Sequence, residues 1–322
     1  MAYLWPEDLL SAIESGQMSP LEAFRKLREM ENTSVSRDSA SLQSSVEQRI
    51  ETILRELDSL IGLTEVKKLV REIYAFIEIQ KRREREHLNT EPMVLHMIFK
   101  GNPGTGKTTV ARIMGKVFRE MGVLSRGHLI EVERADLVGE YIGHTAQKTR
   151  EQLKKAYGGI LFIDEAYSLA RGGEKDFGKE AIDCMVKAME DHKDELILIL
   201  AGYQKEMEKF LQTNPGLRSR FPIHINFPDY NKQELLQIAE QLCAKRQYQL
   251  NSQAKTVLLS LFNPPENNSD DNFGNARTVR NIIEKAIRRQ AVRLIRKHST
   301  TREELMVIEP SDLSGVEKCG NV

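Results

Sequence analysis

Residues 101–108 read Gly-Asn-Pro-Gly-Thr-Gly-Lys-Thr, the spacing G-x-x-x-x-G-K-[ST] that holds a chain of phosphates. Gly101, Gly104 and Gly106 allow backbone conformations that a Cβ would penalise, so Asn102, Pro103 and Thr105 can wrap the loop closely around phosphate oxygens. Lys107 brings an ammonium group to the β- and γ-phosphates. The Thr108 hydroxyl, with Thr109 following it, is an oxygen ligand of the kind Mg²⁺ takes. Further along, the apolar run Ile160–Ile163 ends in Asp164 and Glu165. A carboxylate at the end of a buried strand sits where α/β sheets bind ligands. Asp164 suits the metal, and Glu165, directed elsewhere, can polarise a water for attack on the γ-phosphate. A phosphate cradle with this acid pair implies hydrolysis of a triphosphate, not merely its capture.

Other residues could complete or report on such a site. Arg218 and Arg220 in Asn-Pro-Gly-Leu-Arg-Ser-Arg-Phe precede an apolar run. A planar, permanently charged guanidinium suits a phosphoryl transition state, although the spacing alone also fits a surface ion pair. Gly274 and Asn275 suit a turn and helix N-cap, placing Arg277 in a first helical turn from which it could reach the γ-phosphate. The basic residues that follow, from Arg280 to Lys297, lack aromatic interleaving and read as a solvated helix, so nucleic acid is not expected as a partner.

Short apolar runs at 95–99, 128–132, 160–163, 196–201 and 223–227 are separated, between the first four, by segments of helical length at 108–120, 145–156 and 178–191. Runs without alternation suit parallel strands buried on both faces, and the order predicts a doubly wound α/β layer. Helical spacing over 47–87 is interrupted at Ile61-Gly62. After Pro228 the strands are expected to stop, leaving a smaller helical domain divided by a polar stretch at 263–275. Residues 1–30 carry a short amphipathic pattern and 32–45 a Ser-rich linker.

Lys plus Arg and Asp plus Glu both number 47 in the 322 residues, which argues against a polyanion binder working by bulk charge. An odd set of three dispersed cysteines makes no disulfide framework. No apolar run approaches the roughly 20 residues needed to span a bilayer. A cytoplasmic location is expected.

GNPGTGKT, GGILFIDEA, LILAGY, NPGLRSRF and FGNAR, in this order, resemble the AAA+ ATPases. Over about residues 50–310 they resemble the CbbX-like branch, which includes Rubisco activases and a sporulation protein of bacilli. The resemblance implies a P-loop NTPase fold: a five-stranded parallel sheet flanked by helices, with a C-terminal all-helical lid domain. The expected division is 1–45 variable segment and linker, 46–228 nucleotide-binding domain and 229–322 lid. It also implies ATP and Mg²⁺, a homo-oligomeric ring, usually hexameric, and a protein client. Position by position, Gly101 to Thr108 match Walker A and Asp164 and Glu165 match Walker B. Arg220 matches the arginine finger acting on a neighbouring subunit, with Arg218 as helper. Arg277 matches sensor 2, and Ile61-Gly62 resembles the segment near adenine. Tyr141-Ile142-Gly143 resembles the pore loop that grips polypeptide, where the residues alone would also fit a turn. At the sensor 1 position Ala201-Gly202-Tyr203 replaces the family's common Asn or Thr. The functional expectation is an ATPase that remodels a protein partner in spore maturation. The alternatives are a Rubisco-activase-like remodeller, a nucleic-acid motor, or a nucleotide-gated scaffold.

Overall fold

The computed structural model describes residues 45–90, 93–141, 143–171, 177–213, 215–262, 274–297 and 299–314. Most of the amphipathic and Ser-rich region, Ile142, residues 172–176, Asn214 and Phe273 lie outside them. The chain divides into two compact units between Thr52 and Ile53. Of the first, residues 45–52 are described and are helical.

The second unit is built on β1 (Met97–Gly101), β2 (Leu129–Val132), β3 (Gly159–Ile163), β4 (Leu196–Gly202) and β5 (Ile223–Phe227). These pair in parallel in the order β2-β3-β4-β1-β5. The five apolar runs fall on these strands, and β3 and β4 are buried at every position. The pleat sends alternate side chains to opposite faces. On one face Ile98, Leu161, Ile163, Leu198 and Leu200 join a core with residues of α3 (His144–Ala156), α4 (Gly178–Asp191) and α5 (Gln204–Thr213). Phe99 meets Phe162 and Phe227 at centroid distances of 6.3 and 5.0 Å. Truncating one of these fully buried rings to alanine should cost about 3–5 kcal/mol. The parallel register sets Ile98 and Ile163 both beside Leu200, so the β1, β3 and β4 carboxyl ends share one edge.

Two further helices bound that edge. α1 (Thr64–Arg85) follows a break at Gly62 and Leu63, both left-handed (φ +62° and +56°). α2 (Lys107–Glu120) starts directly from the glycine-rich loop, and its N-cap Gly106 (φ +99°) supplies no side-chain cap. The first N–H groups of α2 therefore remain available to an anion.

Beyond α6 (Pro215–Arg220) and β5 come α7 (Lys232–Lys245), α8 (Ser252–Leu261) and α9 (Asn275–Ile295). The expectation that strands stop at Pro228 needs one correction: Gln249–Leu250 and Val307–Ile308 form a small parallel pair. Two-residue runs carry too little periodicity to be read from sequence. The C-terminal segment is fastened to α9 by Gln290, whose amide donates to the carbonyls of Glu304, Leu305 and Val307. Arg293 adds ion pairs to Asp312 and Glu309 at 2.9 and 3.0 Å.

Candidate active site

A cleft of about 400 Å³ opens at the carboxyl edge of the sheet, between the glycine-rich loop and helices α7 and α9. Lys107, Thr108, Asp164, Glu165 and Arg277 all line it, although they come from three separate stretches of chain. Gly101, Pro103, Gly104, Gly106, Thr109 and Ile61 line it as well. Asn102, Thr105 and Gly62 support it from behind. The Asn102 amide donates to Asp229 (2.9 Å), and the buried Thr105 hydroxyl donates to the Asn102 carbonyl (2.8 Å). At Gly62 the left-handed backbone (φ +62°) favours glycine, and a Cβ there would displace the Glu234 carboxylate beside the Tyr230 ring.

Lys107 folds back onto its own loop, donating to the carbonyls of Gly101 and Asn102 at 2.8 Å each. Burial pulls its pKa down to about 8; Asp164 and Asp229 oppose the shift and Arg277 adds to it. A partly desolvated ammonium held by neutral carbonyls is ready to be exchanged onto phosphate, whose negative charge would raise its pKa again.

Asp164 and Glu165 leave β3 in different directions. The Asp164 carboxylate accepts from the Glu165 N–H at 3.0 Å and is partly buried. Glu165 is exposed and sits in the left-handed region at φ +46°. A non-glycine residue there stores strain, of the kind found where a side chain must be aimed. Thr108 donates to Glu131 of β2 at 3.3 Å, which leaves the lone pairs of its hydroxyl for a cation. The donor set of Thr108 and Asp164 therefore fits Mg²⁺, which takes few protein oxygens and fills its octahedron with phosphate and water. Among the described residues no cluster of three or more His, Cys, Asp or Glu offers a metal cage of protein ligands alone.

Tyr203, at the end of β4, also lines the cleft, with its ring 5.9 Å from that of Tyr167. Burial and the nearby Glu165 raise its pKa, keeping the phenol neutral. Arg218 and Arg220 do not line the cleft. Arg220 borders a different cavity of about 970 Å³, where it pairs with Glu190 of α4 at 2.8 Å. Tyr141 is 66% exposed and makes an edge contact with His144. Beside it Gly143 (φ +83°) has open space where a Cβ would stand.

Several contributors were invisible in the motifs. Tyr230, Ile238, Gln241, Leu242 and Lys245 bring one side of α7 and its lead-in to the cleft, and Arg280 joins Arg277 from α9. Ordinary amphipathic spacing gave no sign that α7 faces a ligand, and Arg280 reads as one solvated charge among many. Asn275 corrects another reading. The helix is capped by Gly274, while Asn275 is fully buried at φ +45° with its amide directed to other partners.

Known proteins resemble this chain over most of its length. The model of the ATPase family associated with various cellular activities (AAA) matches residues 97–229, and that of the AAA lid domain matches 231–319. Stage V sporulation protein K of Bacillus subtilis is 57% identical over 82% of this chain and 83% of its own length. The chloroplastic ribulose bisphosphate carboxylase/oxygenase activase of Cyanidioschyzon merolae is 44% identical over 86% of this chain and 96% of its own. A katanin structure overlays with TM-score 0.53 at 18% identity, covering 83% of this chain and 86% of that one, which is a likeness of fold.

Proposed function

Because the chain belongs to the AAA ATPase family and is an ATPase, we propose that it hydrolyses Mg-ATP as a hexameric ring and spends the turnover on remodelling a protein partner. In this reading residues 46–228 bind the nucleotide and 229–322 form the lid, with ATP at the cleft they share. Lys107 exchanges the carbonyls of Gly101 and Asn102 for phosphate oxygens. Thr108 and Asp164 would hold Mg²⁺, whose chemistry is to neutralise the charge that gathers between the β- and γ-phosphates. Glu165 orients a water for in-line attack on the γ-phosphorus as the bond to the ADP oxygen breaks. Arg277 contacts the phosphate from the lid side, and Ile61 and Gly62 border the base.

The observation that carries the shared site is the position of Arg220. It lies outside the cleft of its own chain, partly exposed and held by the Glu190 carboxylate and the Gly216 carbonyl. As the arginine finger it would act on the nucleotide of the adjoining copy, with Arg218 beside it. Tyr141-Ile142-Gly143 would grip the client. An exposed aromatic offers sequence-tolerant contact area, and Gly143 lets the loop move. Among the described residues no helix is long and apolar enough to cross a membrane.

The 57% likeness to a sporulation protein favours a role in spore maturation. The activase resemblance supports a second reading, a remodeller of Rubisco or a similar enzyme complex. Trapping tests the proposal: the Glu165→Gln chain, expressed in its native cell and given ATP, should retain its client on affinity capture. Recovery of a spore-assembly protein supports the first reading and of Rubisco the second. Retention of nucleic acid alone, with hydrolysis stimulated by DNA, would overturn both.

A further inference from the structure

The carbonyl oxygens of the phosphate loop fall into two groups. Those of Gly101 and Asn102 are held by Lys107, a cation that must leave them when phosphate arrives. Those of Pro103, Gly104 and Thr105 are held by residues beyond β5. The Pro103 carbonyl accepts from the Asn275 amide (3.4 Å), that of Gly104 from the Ala276 N–H (3.3 Å) and that of Thr105 from the Tyr230 hydroxyl (3.1 Å). Asn275 is the hub of this second group. Its side-chain oxygen accepts from the Tyr230 N–H at 2.9 Å, and its amide donates to Asp229 at 2.7 Å. The other oxygen of Asp229 accepts from Asn102, returning the chain of bonds to the loop. The approach is so close that a Cβ on Gly104 would collide with the Gly274 carbonyl and press on the Arg277 N–H.

A trans peptide is planar, with its C=O and the following N–H on opposite sides. The described chain has no cis peptide, so turning the carbonyls of 103–105 toward Tyr230 and α9 turns the N–H groups of Gly104, Thr105 and Gly106 the other way. We propose that Asn275, held in place by Asp229, is a positioning residue for the nucleotide. By fixing the outward carbonyls of the phosphate loop it pre-aims the loop's N–H groups at the phosphates. The left-handed backbone and complete burial of Asn275 are the cost of bringing one amide to Tyr230, Asp229 and Pro103 together. It follows that the first turn of α9 moves with the phosphate loop as one body. This inference rests on the ATPase reading above, because it concerns how that site receives its phosphates.

The test is a charge exchange in the full-length chain, read as ADP and ATP affinity with Mg²⁺ present. Asn275→Asp sets a carboxylate against Asp229. Asp229→Asn leaves one oxygen for the two amides of Asn102 and Asn275. Each single change should weaken both nucleotides about ten- to a hundredfold, the loss expected for a buried hydrogen bond to a charged group, with a smaller change in kcat at saturating ATP. The double variant D229N/N275D restores one carboxylate facing one amide, but a carboxylate at 275 cannot donate to the Pro103 carbonyl, so its affinity should exceed that of both singles while staying about three- to tenfold below the parent. Tyr230→Phe, which removes only the bond to the Thr105 carbonyl and keeps the ring, should weaken binding about three- to tenfold and provides the test if a charged variant fails to fold. Parental affinity in folded Asp229→Asn and Tyr230→Phe chains, or a double variant no better than the worse single, would overturn the inference. A parent chain that binds neither ADP nor ATP would overturn the ATPase reading and this inference with it.

Discussion

The phosphate loop and the neighbourhood of Arg220 are built in opposite ways. In the loop every carbonyl from Gly101 to Thr105 has a partner, glycines stand where a Cβ would collide, and Lys107 is partly desolvated. Arg220 instead sits on a six-residue helix with its side chain 37% exposed, tied to Glu190 (side chain 62% exposed) and to the carbonyl of Gly216. Groups that act within one chain can be fixed in advance, because the fold supplies all their partners. A group that must act on another chain has to remain reachable, and an exposed ion pair worth about 0–1 kcal/mol is a restraint that an incoming phosphate can displace. On the proposed reading, the contrast is between a site ordered before binding and an arm that assembly would order.

Removing the arm gives the largest expected effect. Arg220→Ala should lower kcat about a thousandfold in steady-state phosphate release while leaving ADP affinity near the parent value. A drop in affinity equal to the drop in kcat would place Arg220 in the preordered half and break the comparison. Glu165→Gln comes next: turnover should fall about a hundred- to a thousandfold with ATP still bound, measured by single-turnover hydrolysis beside equilibrium binding. Unchanged hydrolysis would remove Glu165 from the role of aiming water.

The acidity of Lys107 sharpens the same contrast on a smaller scale. Its pKa near 8 means that the empty site holds a charged lysine below that pH and an increasingly neutral one above it. Bound phosphates favour the ammonium, so binding above pH 8 takes up a proton and affinity falls as pH rises, by as much as about tenfold per unit. Calorimetry in buffers of different ionisation enthalpy should show proton uptake at pH 9 and little at pH 7. Equal uptake at both would contradict the buried lysine. The smallest effect belongs to Glu190→Gln, which should change kcat less than about threefold because the pair it breaks is exposed. A loss as large as that of Arg220→Ala would show that the ion pair is required for turnover.

How far the sequence led depended on whether a residue's partners were near it in the chain. Lys107, Thr108 and the Asp164-Glu165 pair were legible because strand, loop and helix are consecutive, and the apolar runs around them have no other soluble use than a buried sheet. Lys245, Gln241 and Arg280 were not legible. They join the cleft only because α7 and α9 turn one side toward it, and helical spacing does not say which side meets a ligand. Asn275 was misread as a cap because a side chain that caps its own helix and one that reaches Asp229 and Pro103 have the same local signature. The short Gln249–Leu250 strand was lost for want of length.

Mixing two defective chains tests the divided site most directly. Lys107→Ala protein should not bind ATP productively, and Arg220→Ala protein should bind it without turnover, so each alone should be nearly inactive. Together they should regain a substantial fraction of parental ATPase activity, because an intact Lys107 cleft in one copy then meets an intact Arg220 from the next. A mixture as inactive as its components, although the two chains co-assemble, would contradict the account.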